Sequence, residues 1–242
     1  MKGSVKRLLA KKGFELRRIN TVNQKMEGDS MLSALDRLHK SNFDVIVDVG
    51  AAQGTWAEKA NQFWPNADYL LIEPLRERNS FLEKVKIENI TILNCVLGSE
   101  DTEIDFNVSD DLDGSGVYGE AIGGEIRKIP QSSLDTIIAN QGLENKKDVL
   151  LKLDTHGFEI PIFEGALKTF PNISVIIVEV YGFFVSPHSK LCWEIAEYLN
   201  DKGYRLFDIV DILRREKDNA FWQADFVFMK SEDPIFKDNS YA

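Results

Sequence analysis

The sequence predicts an α/β domain on a mostly parallel sheet with helices on both faces, and three observations predict it. Short β-branched runs such as "VIVDV", "VLLKLD" and "SVIIVEV" alternate with amphipathic helical stretches, the pattern of strands buried on both faces. The first of these runs, inside "FDVIVDVGAAQGTW" (43–56), passes straight into a small-residue turn and a helix start. The 242 residues, 43% hydrophobic, suffice for one full core.

The elements follow in order. "SMLSALDRLHKSN" sets Met31, Leu35 and Leu38 on one helical face behind Ser30 as a cap. After "VIVDV" come a helix "TWAEKANQFW", a turn at Pro65 and Asn66, the strand "YLLIEP", a helix "LRERNSFLEKVKI" and the strand "ITILNCVL". "TEIDFNV" alternates like an exposed strand. Residues 109–131 carry five glycines and little periodicity, which predicts a mobile loop over a site. Then follow the helix "SSLDTIIANQG", the strand "VLLKLD", the helix "IFEGALKTF", the strand "SVIIVEV" and the helix "KLCWEIAEYLNDKG". Two strands, "YRLFDIV" and "ADFVFMK", close the chain. This divides it into a basic arm with a lead-in helix (1–42), one domain (43–230) and a tail (231–242).

Charge narrows the partners. Residues 1–20 hold a balance of +6, which leaves −16 on the rest of a chain whose net charge is −10. Such a body repels phosphate backbones, so nucleic acid is not expected as a substrate. The arm could make a weak contact with an anionic membrane surface or an acidic protein. No apolar run is long enough to span a membrane, and the first twenty residues lack a secretory h-region. Two cysteines, Cys95 and Cys192, do not make a disulfide framework. A cytoplasmic location is the expectation.

The glycine turn should lie in the crevice where ligands bind in doubly wound sheets. The dinucleotide pattern G-x-G-x-x-G fails, because Ala52 and Thr55 stand where the second and third glycines belong. The P-loop pattern fails as well. What remains is Asp48 at the first strand tip, Gly50 and Gly54 in the turn, and Glu73 closing the second strand, 25 residues beyond Asp48. Glu73 is placed to accept from both hydroxyls of a ribose, and Asp48 to hold a cationic end. Those are the requirements of S-adenosylmethionine. A NAD-binding oxidoreductase and a non-catalytic binding protein of the same fold are the alternatives.

Further stretches carry a resemblance. "VDVGAAQGTW", "LLIEP", "NCVLGSED", "SSLDTI", "LLKLDTHGFEIPIFEGAL" and "VIIVEV" occur in the order found in the FkbM family of S-adenosylmethionine-dependent methyltransferases. Lys152, Asp154, Gly157 and Glu159 are its most specific mark. The resemblance implies the class I methyltransferase fold, Rossmann-like, with seven strands and an antiparallel last one. It also implies O-methylation of a sugar or other small-molecule hydroxyl, and a cofactor site of Asp48, Gly50, Ala51, Gln53, Gly54, Glu73, Pro74, Cys95, Val96 and Asp154. Ala52 replaces the asparagine usual in this turn.

Methyl transfer needs an acceptor oxygen about 3–3.5 Å from the methyl carbon, with a base or a metal to handle its proton. Asp154, His156 and Glu179 converge on the tips of the later strands and are the catalytic candidates. His156 is a natural base, and Asp154 the stronger candidate for orienting ligand or acceptor. Magnesium held by Asp154 and Glu179 is possible but not favoured, since carboxylates beside a cationic ligand need no metal. Tyr181, His188 and Glu159 are candidates for contacting the acceptor, with Phe183 and Phe184 as an apolar platform. The acids Asp111, Asp113 and Glu120 fall at EF-hand spacing from Ser109, but without the flanking helices.

Overall fold

The computed structural model describes residues 30–118 and 124–241. The expectations for residues 1–20 therefore lie outside the described residues, as does the stretch 119–123 of the glycine-rich segment. Helix α1 (Met31–Leu38) leads into β1 (Val45–Val49), α2 (Thr55–Asn61), β2 (Asp68–Ile72), a 3-10 turn at Arg76–Arg78, α3 (Asn79–Leu82) and β3 (Ile90–Leu93). Next come β4 (Val96–Leu97), β5 (Thr102–Val108), β6 (Glu125–Ser132) and α4 (Leu134–Asn140). The remainder is β7 (Val149–Leu153), α5 (Glu159–Glu164), β8 (Ile173–Tyr181), α6 (Cys192–Asp201), β9 (Tyr204–Arg214) and β10 (Phe221–Lys230).

Seven strands form one sheet in the order β3-β2-β1-β7-β8-β10-β9. Only β10 runs against its neighbours, pairing antiparallel with both β8 and β9. The order reverses beside β1, so the glycine turn after β1 faces the crevice there. This is the predicted architecture.

Alternate residues of the central strands feed two cores. Val45, Val47 and Val49 join Leu151, Leu153, Ile176 and Val178 in one, under α4, α5 and α6. Ile46, Leu150, Val175 and Ile177 face the other, under α1, α2 and α3. These strands are apolar on both faces, apart from Asp48, Lys152 and Glu179 near their C-terminal ends, because both faces are covered. Ser30 and Ser133 cap α1 and α4, their side chains accepting from the backbone N–H groups of Ser33 and Thr136.

Four segments differ from expectation, the least of them the helix read over 162–170, which starts earlier and stops sooner as α5. "ITILNCVL" is not one strand: β3 ends at Leu93 and β4 begins at Val96, in a second, three-stranded sheet of order β4-β6-β5. Asn94 makes the break, donating to the Glu73 carbonyl at 2.9 Å and exchanging amide hydrogen bonds with Asn79. The glycine-rich stretch is not a loop throughout, because Glu125–Ser132 is β6, antiparallel to β5 from Thr102 opposite Gln131 to Val108 opposite Glu125. Its alternation was masked by the exposed Glu125, Ile126 and Lys128 and by Pro130, which stands just before Gln131 and Ser132, the pair that meets β4. The helix expected over 75–87 reduces to the 3-10 turn and α3.

Candidate active site

A cavity of about 310 Å³ opens at the C-terminal tips of β1, β2, β7 and β8 and is roofed by the second sheet. Its two ends differ in construction.

The first end is main-chain architecture. Gly50, Ala52 and Gly54 have φ of 72°, 47° and 78°, so the turn after β1 is largely left-handed, where glycine costs nothing and alanine is strained. An asparagine would tolerate that conformation at position 52 better than alanine does. A Cβ on Gly50 would lie 2.1 Å from the Asp154 carbonyl oxygen, and one on Gly54 would lie 2.5 Å from Val85 Cγ2. Close packing of the chain, rather than room for a ligand, thus requires both glycines. Glu73 follows β2, lines the cavity and is 6% exposed. Its two carboxylate oxygens accept the N–H groups of Ala52 and Leu75, each at 2.9 Å. Each oxygen keeps a lone pair for an incoming hydroxyl. Burial pushes the Glu73 carboxyl up, against the pull of those N–H groups and of Arg78. Pro74, Cys95 and Val96 line the same end, beside apolar Leu75, Leu97 and Phe106. Burial pushes the Cys95 thiol up to about 11, which leaves it inert as a nucleophile at neutral pH.

The second end is a network of charges. Lys152 is buried, with its ammonium 3.1 Å from Asp48, 3.3 Å from Asp154 and 3.3 Å from the Gly50 carbonyl. Burial works to lower its pKa, but Asp48 and Asp154 outweigh it and hold the ammonium above its ordinary value. Burial likewise raises Asp154, and Lys152 and His156 reverse that, leaving it ionised below the usual carboxylate range. At Glu179 the balance falls the other way, because the pull of the Tyr181 hydroxyl and of the more distant Lys152 is outweighed. Desolvation, with the neighbouring Asp154 charge, pushes it up to about 8. The pair is therefore one carboxylate and one carboxylic acid at neutral pH, as adjacent acids require. Tyr181 donates its hydroxyl to Glu179 Oε2, and Gln223 Nε2 donates to Oε1 at 2.5 Å. His156, at φ 54°, sets Nδ1 3.0 Å from the Tyr181 hydroxyl and 3.7 Å from Glu179.

Several expected site residues sit elsewhere. Asp48 is wholly buried behind Lys152, so its charge is spent on that ion pair and not on the cavity. Ala51 packs its methyl into the core under α2, and Gln53 is an exposed turn residue. Glu159 is buried and braces its own turn, accepting from the Gly157 N–H at 2.9 Å and Thr155 Oγ1 at 3.1 Å. Tyr181 is buried too and acts on Glu179 rather than on the cavity wall. His188 is exposed with its ring 5.0 Å from that of Tyr118. Phe183 is no open platform, since it stacks on Trp222 at 5.7 Å with Arg215 4.0 Å from its centroid; Phe184 stays exposed.

The glycine-rich segment does reach the cavity, as expected of a segment over a site, and two further walls, Arg78 and Phe158, were not signalled by the sequence. Arg78 enters from the 3-10 turn, Phe158 from the N-cap position of α5, and Leu112, Asp113 and Val117 from the glycine-rich segment. Asp111 of the EF-hand-like spacing is taken up locally by the Ser109 hydroxyl and the Gly114 N–H, and Asp113 pairs with Arg78. A cation could be shared instead by Asp154, His156 and Glu179, which bring one ligand atom each within 4.8 Å of the others. The histidine nitrogen there suits transition metals better than magnesium, which takes oxygen.

Residues 48–206 match the Methyltransferase FkbM domain, and the chain belongs to that family. Among solved structures the chain is similar to a precorrin-6y C5,15-methyltransferase from Geobacter metallireducens GS-15, at 15% identity over 88% of this chain and 93% of that one, with a TM-score of 0.44. It is also similar to a 1,6-didemethyltoxoflavin-N1-methyltransferase from Burkholderia thailandensis (10% identity, 83% and 77% covered, TM-score 0.46) and to a SAM dependent methyltransferase from Aquifex aeolicus (9%, 86% and 94%, 0.45). Among curated proteins, none matches. No helix among the described residues is long and apolar enough to cross a membrane.

Proposed function

We propose that this methyltransferase transfers the methyl group of S-adenosylmethionine to a hydroxyl of a sugar or another small molecule. The observation that carries the reading is the polarity of this cavity: a braced carboxylate, Glu73, beside apolar walls at one end, and the Asp154–Glu179 pair with His156 at the other. The first end suits a ribose and a flat base. When bound, the cofactor supplies an electrophilic methyl on a sulfonium. The second end suits the proton of the acceptor. Asp154, ionised and exposed to the cavity, accepts it as the oxygen–methyl bond forms. Glu179, held neutral by burial and by Asp154, offers a hydrogen bond to the acceptor rather than a charge.

Calorimetric titration with S-adenosylhomocysteine and, separately, with NAD tests the first half; binding of NAD alone would sink the reading. A methyl-transfer screen over free sugars, glycans and small hydroxylated compounds tests the second. Running it with EDTA, and with manganese or magnesium restored, separates the proton route from a metal route. Activity unchanged in EDTA is the expected result, and methylation confined to amines or carbon atoms would refute O-transfer.

A further inference from the structure

Arg78 and Asp113 make an ion pair of unequal partners. The arginine side chain is only 8% exposed and faces the cavity, while the aspartate is 77% exposed at the tip of the glycine-rich segment. That segment is a small flap. Its base is closed by reciprocal backbone hydrogen bonds between Asn107 and Gly116, both 3.0 Å, and by the Asn107 side chain, which donates to the Gly116 and Val117 carbonyls. Between them a tight turn, tied by Ser109, Ser115 and Asp111, carries Leu112 at φ 65° and Asp113. Leu112 packs on the main core, and Leu112, Asp113, Ser115 and Val117 form one wall of the cavity. The flap is thus hinged at one end and held at the other by one charge pair beside the packing of Leu112.

A buried guanidinium needs a counter-charge. Arg78 has Glu73 close enough to lower the Glu73 carboxyl, so opening the tip leaves Arg78 tolerated but poorly paired, a state of intermediate cost. We infer that Arg78 and Asp113 are positioning residues that clasp residues 109–116 over the cofactor, and that release of the clasp sets how fast the cofactor and its demethylated product exchange. This rests on the cofactor reading above. Because Asp113 is solvent-exposed, salt weakens the clasp, and its substitution leaves the fold alone.

The test uses the full chain and S-adenosylhomocysteine, which needs no known acceptor. Dissociation of radiolabelled ligand is followed by chase, at low and high salt, for the wild type, Asp113→Asn, Arg78→Gln and the double variant. Loss of one exposed charged partner should raise the off-rate roughly fivefold to tenfold. The wild-type rate should rise with salt, the Asp113→Asn rate should not, and the double variant should be no faster than Arg78→Gln alone. Without any ligand, amide exchange over 109–116 should quicken in Asp113→Asn. An Asp113→Asn protein with the wild-type off-rate, salt dependence and exchange would overturn the clasp alone. A wild type that binds no S-adenosylhomocysteine would overturn the cofactor reading and the clasp with it. Multiplying effects of the two substitutions would show that they act independently, which also refutes a clasp.

Discussion

The two ends of the cavity are held together by different physics. Around Glu73 the contacts are backbone: two N–H groups fix one carboxylate, and the left-handed Gly50 lets the turn after β1 pack on the Asp154 carbonyl beyond β7. Around Glu179 they are side chains on and just beyond β7, β8 and β10, where Lys152, Asp154 and Glu179 set one another's protonation and Tyr181 and Gln223 hold Glu179 in place. A backbone-built site keeps its shape at any pH, whereas a charge-built site has a shape that depends on which proton is where.

The contrast can be broken most severely at Gly50. A valine there would drive its Cβ into the Asp154 carbonyl and resist φ 72°, so Gly50→Val should cost about 4 kcal/mol or more, read as a fall in the urea midpoint. Lys152→Met comes next. It strands the buried Asp48 and takes a counter-charge from the half-exposed Asp154, and should cost about 3–5 kcal/mol at pH 8. The loss should shrink toward pH 5 as Asp48, already raised by burial, takes a proton. An equal loss at both pH values would show that the ammonium only fills space.

Glu179 sharpens the comparison through pH. Its carboxyl ionises near its ordinary 4.5 when unfolded but near 8 when folded. Between those values the folded chain holds the extra proton, so stability must fall as pH rises through that window. Glu179→Gln should remove a slope on the order of 2–4 kcal/mol between pH 5 and 8, measured by denaturation at several pH values. An unchanged slope would place the titration elsewhere, with Asp225, raised to about 7, the nearest candidate. The smallest effect is expected at the backbone-built end. Glu73→Gln keeps the shape and should weaken S-adenosylhomocysteine by about 1.5–3 kcal/mol, with no new pH dependence between 6 and 8. Glu73→Ala would also unpair the Ala52 and Leu75 N–H groups and so lose stability.

The β1 turn, Glu73, Asp154, His156 and Glu179 were legible because each sits at a strand tip, and strands buried on both faces announce themselves as continuous apolar runs. The chain also declared its parallel sheet and its family through residues close together in sequence. Register and burial were not legible. Lys152 stood out in "VLLKLD" only as part of the family's mark, and its role as a buried counter-charge appears once β1 and β7 pair Asp48 with it. Gln223 gains a role only because β10 inserts antiparallel beside β8 and sets it across from Tyr181, within reach of Glu179. β6 was hidden because a strand with one face in water needs its partner to be recognised, and Arg78 because its partner lies 35 residues away. Local pattern encodes which segments are strands and which turns need glycine, since those follow from backbone sterics and the period of burial. Which acids meet, which is neutral and how the glycine-rich segment is tied to Arg78 follow from distances between groups far apart in the chain, and only tertiary packing sets those.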